Sequence, residues 1–220
     1  MKLELINNNS DKLIIFLTGW GCDASQFSHL NSQKYDVLII YDYNSLDFQY
    51  DFSKYRKINL LTFSAGVFIS GVIKEKLPQF HKKIAINGNP MNFDKYYGPS
   101  TIFVENILNI SKDTAVQFRR DYLVNDEKEL SKFNIAQTKS CRGLEDCISE
   151  FYQIEKYYKS NFDVMDFDLV LLSDNDKVFN INKQLEYYNN KQFKTKVIEN
   201  AAHYPFYKFN SYDEIFDMAK

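Results

Sequence analysis

A serine, a histidine and a pair of aspartates are the residues of this chain whose types and spacing could do chemistry. Ser64 lies in Leu60-Leu61-Thr62-Phe63-Ser64-Ala65-Gly66-Val67, where an apolar strand-like run passes straight into a helix-like run. A turn that sharp, with small residues after the serine, lifts the hydroxyl off the sheet edge. It also leaves the next amide free at a helix N-terminus. Those are two requirements of an acyl-transfer nucleophile. A serine nucleophile also needs a base, an acid that orients the base, and oxyanion donors.

The base must be one of three histidines, His29, His81 and His203. In the chain order that accompanies such an elbow, the acid follows the serine and the histidine follows the acid. His29 precedes Ser64, and His81 sits in the basic stretch Phe80-His81-Lys82-Lys83, which reads as solvated surface. His203 remains, in Ala201-Ala202-His203-Tyr204-Pro205-Phe206 beyond the last apolar run. Taken alone, it would read as an ordinary loop histidine. The acid is expected after the preceding strand, where Ser173-Asp174-Asn175-Asp176-Lys177-Val178 offers two carboxylates. Asp176 is the choice and Asp174 the alternative, since either could simply close a turn. For the oxyanion, Thr18-Gly19-Trp20-Gly21 follows the run Leu13 to Leu17. The Trp20 and Ala65 amides are assigned as the donor pair, and Trp20 also as a wall of the substrate pocket. The plain alternative is a β-turn with its tryptophan packed on the sheet.

The elements that must position these residues follow from hydrophobic periodicity. Strands are expected at Leu3 to Ile6, Leu13 to Thr18, Val37 to Tyr41, Ile58 to Phe63, Lys83 to Asn87, Leu169 to Ser173 and Phe193 to Glu199. Helices are expected at Ala24 to Leu30, Ala65 to Leu77, Ile181 to Asn189 and Asp213 to Met218. This alternation predicts an α/β fold with a mostly parallel central sheet flanked by helices. Between residues 90 and 167 the rhythm breaks into amphipathic helices, near Thr101 to Asn109, Asp113 to Leu123, Asp126 to Phe133 and Leu144 to Lys159. Residues 1–89 and 168–220 are therefore read as the core, and 90–167 as a helical cap or lid insertion.

Bulk properties narrow the function. The net charge of -2 argues against a general nucleic-acid binder. No apolar run is long enough to span a membrane, and the first residues are too polar for a signal peptide. The three cysteines, Cys22, Cys141 and Cys147, match no zinc spacing. Their odd number fits a reducing cytoplasm without a structural metal.

Together, Gly19-Trp20-Gly21, Phe63-Ser64-Ala65-Gly66, Asp174-Asn175-Asp176-Lys177-Val178 and Ala202-His203-Tyr204-Pro205-Phe206 resemble an α/β-hydrolase. More narrowly, the short chain and its Leu17-Thr18-Gly19-Trp20-Gly21-Cys22-Asp23 opening resemble the BioG-type pimeloyl-acyl carrier protein methyl ester esterases of biotin synthesis. One departure is Thr62, where the superfamily's G-x-S-x-G motif has its first glycine; the branched side chain should cost ~1 kcal/mol unless neighbours adjust. The resemblance implies a serine carboxylic ester hydrolase with the triad Ser64, Asp176 and His203, no metal or organic cofactor, and an acyl carrier protein as partner. Carriers are usually acidic, so Arg119, Arg120 and Arg142 in the cap are the expected docking residues, against the plain alternative that arginines on helices are solvated; Phe118 and Tyr122 would line the acyl channel or, equally, form the core of the cap. Two other readings stand beside it: a generic short-chain carboxylesterase or thioesterase, and a non-catalytic α/β-hydrolase-like binding protein.

Overall fold

In the computed structural model, residues 1–160 and 162–219 are described. Seven strands form one sheet: β1 (Lys2–Ile6), β2 (Lys12–Leu17), β3 (Asp36–Tyr41), β4 (Lys57–Phe63), β5 (Lys82–Ile86), β6 (Leu169–Ser173) and β7 (Thr195–Ile198). Their spatial order is β1-β3-β2-β4-β5-β6-β7. Only β1 runs antiparallel, against β3; each other pairing is parallel.

The inner strands β3 and β6 are buried along their whole length and β4 beyond its first residue, Lys57, as continuous Ile, Leu and Val runs require when helices cover both faces. Alternation then divides them. Ile14, Phe16, Leu61 and Phe63 face one layer, with Phe27, Phe206 and Ile215. Leu13, Ile15, Leu17 and Leu60 face the other, with Val67, Phe68 and Tyr188. That second face is covered by α1 (Ala65–Val72) and α6 (Ile181–Asn190), while α7 (Tyr212–Asp217) lies on the first.

Between β5 and β6 the chain forms four helices: α2 (Thr101–Leu108), α3 (Ala115–Tyr122), α4 (Glu127–Gln137) and α5 (Leu144–Tyr158). Sequence chemistry sets their starts. The Ser100 side chain accepts the Phe103 amide ahead of α2, and Asp126 accepts the Glu129 amide ahead of α4.

Two expected helices are shorter than the periodicity suggested. α1 stops at Val72 rather than Leu77, because Lys74, Glu75 and Lys76 are all exposed and give a continuing helix nothing to bury. The stretch expected as a helix from Ala24 to Leu30 is one 3-10 turn, Ala24–Phe27. Asp23 opens it with a reciprocal capping box, and a Ser25-Gln26 polar pair leaves little apolar face to extend.

Parallel strands end on one side of a sheet, and the order reverses between β2 and β4: the chain moves outward to β3 in one direction and to β5, β6 and β7 in the other. Loops following strands on either side of such a switch point make a crevice. Trp20 follows β2, and Ser64 follows β4.

Candidate active site

Ser64 is the single residue between β4 and α1, and its backbone is held at φ 53 and ψ -121. A non-glycine residue there is strained and persists only where surroundings enforce it. The enforcement is visible. The Ser64 amide donates to the Ile86 and Asn87 carbonyls at 3.1 and 2.7 Å. Gly88 (φ 102) passes so near that a Cβ on it would lie 2.8 Å from the Ser64 carbonyl oxygen. On the other side, a Cβ on Gly66 would lie 2.3 Å from the Leu17 carbonyl oxygen. Only glycine lets α1 start this close to the end of β2. Thr62, the departure from the motif, is buried, and its hydroxyl reaches the Ile84 carbonyl at 3.5 Å.

His203 comes to Ser64 from beyond β7. Its Nε2 is 2.9 Å from Ser64 Oγ, and its Nδ1 is 2.9 Å from Asp176 Oδ2. A carboxylate only accepts, so Nδ1 carries the proton, and Nε2 is left to accept from the serine hydroxyl. The other oxygen of Asp176 accepts the Val178 and Phe179 amides at 2.8 and 2.9 Å, which fixes the carboxylate. The imidazole packs against the rings of Phe63 and Phe179, with centroids 5.1 and 5.8 Å away. His203 is only 3% exposed.

Asp174 sits elsewhere. It accepts the Asn200 and Ala201 amides at 2.9 and 3.0 Å, and those two donors hold its carboxyl below the usual range. Its place is therefore the loop that carries His203, not the imidazole.

Trp20 and Ala65 stand on either side of the serine. Neither amide has an acceptor among the described residues. Gly19 brings the Trp20 loop close: a Cβ there would be 3.1 Å from the Ser64 Cβ. The Trp20 indole donates to the Cys147 carbonyl of α5 at 2.6 Å, so the ring is pinned to the helical segment. It packs edge-on against Phe118 and Phe151.

These residues open into a cavity of about 200 Å³ that reaches Ser64 and His203. Trp20, Phe103, Phe118, Phe151 and Phe179 give it an apolar wall, and Lys112 and Arg119 also border it. Tyr122 does not. It packs behind Phe103 and Phe118 and accepts a hydrogen bond from Asn106, so its expected place in the acyl channel is corrected to a supporting one.

The arginines divide. Arg119 is half-buried and donates to Asn134 at 2.7 Å; Arg120 is exposed and paired with Glu127 at 2.7 Å. Arg142 cannot dock a partner. Its side chain is 0% exposed and is held by Asp146, by Glu150 at 3.2 Å and by Asp42 at 3.6 Å. An arginine facing three carboxylates is retained inside by charge compensation.

Two residues escaped the sequence reading. Asn87 (φ 41) donates to Ser173 Oγ and to the His203 carbonyl, and accepts the Ser173 amide, tying three strand ends together. Glu150 accepts the Gly21 and Tyr43 amides. A legible signal existed for Glu150: it interrupts the apolar stripe Cys147, Phe151 and Ile154 of α5. Among the described residues, no group of three or more His, Cys, Asp or Glu side chains is arranged to hold a metal ion. No helix among them is long and apolar enough to cross a membrane.

The family model described as BioG, pimeloyl-ACP methyl esterase, matches residues 1–215. The crystal structure of BioG from Haemophilus influenzae superposes with a TM-score of 0.85 at 25% identity, covering 99% of this chain and 100% of that one. A lipase-esterase related protein from Clostridium acetobutylicum shares the fold, with a TM-score of 0.63 at 14% identity and 98% of both chains covered. A malonyl-[acyl-carrier protein] O-methyltransferase from Bacteroides fragilis is 36% identical over 110 residues, which span 49% of this chain but only 22% of that protein. The fold is that of the α/β-hydrolases.

Proposed function

The chain belongs to the BioG family of pimeloyl-ACP methyl esterases, and from that premise we propose that it cleaves the methyl ester of a carrier-bound pimeloyl chain through an acyl-serine. As a member it is a carboxylic ester hydrolase of the biotin pathway. The observation that carries the serine mechanism is the unbroken line Asp176–His203–Ser64, two contacts of 2.9 Å ending on a strained elbow.

His203 Nε2 takes the Ser64 proton as Oγ attacks the ester carbonyl, and Asp176 stabilises the imidazolium that forms. The Trp20 and Ala65 amides receive the oxyanion, aided by the positive end of α1. His203 then protonates departing methanol. Water, activated by the same imidazole, releases the acid and restores Ser64.

Selectivity is the harder part. The substrate carries a thioester at one end and a methyl ester at the other, and intrinsic reactivity does not favour the methyl ester. Positioning must decide. The aromatic wall of the cavity suits a polymethylene chain, each buried methylene contributing ~0.8 kcal/mol. Residues 90–167 act as a cap that admits the chain end first and keeps the carrier outside, with Arg119 and Arg120 toward the carrier. The new carboxylate is poorly matched to that apolar wall, which favours its release. The Bacteroides fragilis relative supports this reading: an enzyme named for methylating a carrier-bound acid contains a stretch like this chain.

The test is mass spectrometry of the pimeloyl methyl ester held on its carrier as a thioester, after incubation with the protein. Loss of one methyl group with the acyl chain still on the carrier is expected. Release of the whole chain would replace this reading with a thioesterase.

A further inference from the structure

One buried charge takes no part in the steps above. Glu150 lies on α5 with a side chain 0% exposed. Its Oε2 accepts the Gly21 amide at 2.9 Å and its Oε1 accepts the Tyr43 amide at 2.7 Å. Arg142 Nη2, 3.2 Å from Oε2, balances the charge. Burial nonetheless pushes the Glu150 carboxyl upward, against the pull of Arg142 and the two amides.

The owners of those amides separate Glu150 from an ordinary internal ion pair. Gly21 (φ 70) follows Trp20 directly. Tyr43 opens the loop after β3, and its hydroxyl donates to the Thr18 carbonyl at 2.8 Å, two residues before Trp20. The Trp20 indole is bonded to Cys147, three residues before Glu150 on the same helix. The peptide that carries the Trp20 amide is thus tied on both sides and through its side chain, and two of the three ties come from one turn of α5.

We propose that Glu150 is a positioning residue for the oxyanion hole: its carboxylate holds the loop Gly19-Trp20-Gly21 so that the Trp20 amide faces the reacting carbonyl. This rests on the serine-hydrolase reading above. Glu150 touches no substrate, so its effect falls on the transition state rather than on ground-state binding. Glu150→Gln keeps the shape but turns an NH₂ donor toward one of the two amide donors, and so frees one tie.

The experiment uses the full chain, a short soluble ester, and an alkyl boronic acid whose tetrahedral adduct on Ser64 places an oxygen in the hole. For Glu150→Gln, kcat falls about 10²-fold while KM moves little, as for a misplaced catalytic donor. The boronate Ki rises by a similar factor. Asp146→Asn removes another partner of Arg142 that touches none of Gly19, Trp20 or Gly21, and it leaves Ki unchanged. Should Glu150→Gln fail to fold, the charge-balanced pair Arg142→Gln with Glu150→Gln is read in the same way. Unchanged kcat and Ki in the Glu150 variant, or an equal loss in Asp146→Asn, overturns the proposal. Ser64→Ala separates the two levels. If it is inactive beside an unaffected Glu150→Gln, this inference alone fails; if it turns over ester at the original rate, the serine reading fails with it.

Discussion

At the scale of single residues, the two aspartates beyond β6 make the sharpest comparison. They are two positions apart and equally acidic on paper, yet one faces the imidazole and the other folds a loop. Asp176→Asn should lower turnover about 10⁴-fold by destroying the tautomer preference of His203. Asp174→Asn should be mild by comparison: it gives up one of the two amide contacts with Asn200 and Ala201, but Asp174 does not touch the imidazole. Steady-state rates on a soluble ester decide it, and the reverse ranking would move the acid to Asp174. Ser64, Asp176 and His203 could be picked out as candidates because they come in the order serine, acid, histidine, each beyond the end of an expected strand. Arg142 could not be read as buried. Its partners Asp42, Asp146 and Glu150 come from distant parts of the chain, so nothing local distinguishes it from a solvated helix arginine.

At the scale of elements, the α1 start is set by the absence of one carbon atom. Gly66→Ala would drive a methyl group into the Leu17 and Thr18 carbonyls, which are backbone and cannot turn aside. A cost of about 1–3 kcal/mol is expected, lowering Tm by about 2–4 °C for each kcal/mol, with turnover falling as Ala65 is displaced. An unaltered melt would show that α1 shifts freely. The start of β3 carries a pH dependence. Burial works to raise the Asp36 carboxyl, but the Ser10 and Asn8 amides and the Tyr55 hydroxyl outweigh it and hold it below the usual value. A depressed folded-state pKa stabilises fully above the unfolded value near ~3.9 and loses that stabilisation as pH falls through the folded value. Asp36→Asn should therefore lower stability at neutral pH and flatten its decline below about pH 4, the unfolded carboxyl range. Urea titrations at several pH values test this, and parallel acid limbs would refute it. Strand periodicity carried enough information to place the strands along the chain, though not their order across the sheet. The ends of α1 and of the Ala24–Phe27 turn were less legible, because they depend on what the tertiary structure offers to bury rather than on the local pattern.

At the scale of the whole molecule, the carrier would meet the helical segment, and Arg119 and Arg120 are the cations to test. Charge reversal at both should raise KM several-fold for carrier-bound substrate, in the range of a lost interfacial contact, and by clearly less for a small soluble ester. Equal effects on both substrates would assign these arginines to the structure of the segment instead. Arg142 belongs in that structural group already, since breaking a buried ion pair costs about 3–5 kcal/mol. The mostly parallel sheet was readable from the sequence, whereas the docking of the four helices against the loops that follow its strands was not, because amphipathic stripes tell a helix that it must pack but not against what. The contacts that finish the site reach far along the chain: Gly21 with Glu150 spans 129 positions, and Ser64 with His203 spans 139. During synthesis from the N-terminus, the elbow emerges long before either partner exists. A growing chain that has completed β4 thus holds a serine with no base and a loop with no clamp. Hydrolytic competence should appear abruptly, once His203 has been made and can reach Ser64, and not accumulate as the sheet is laid down.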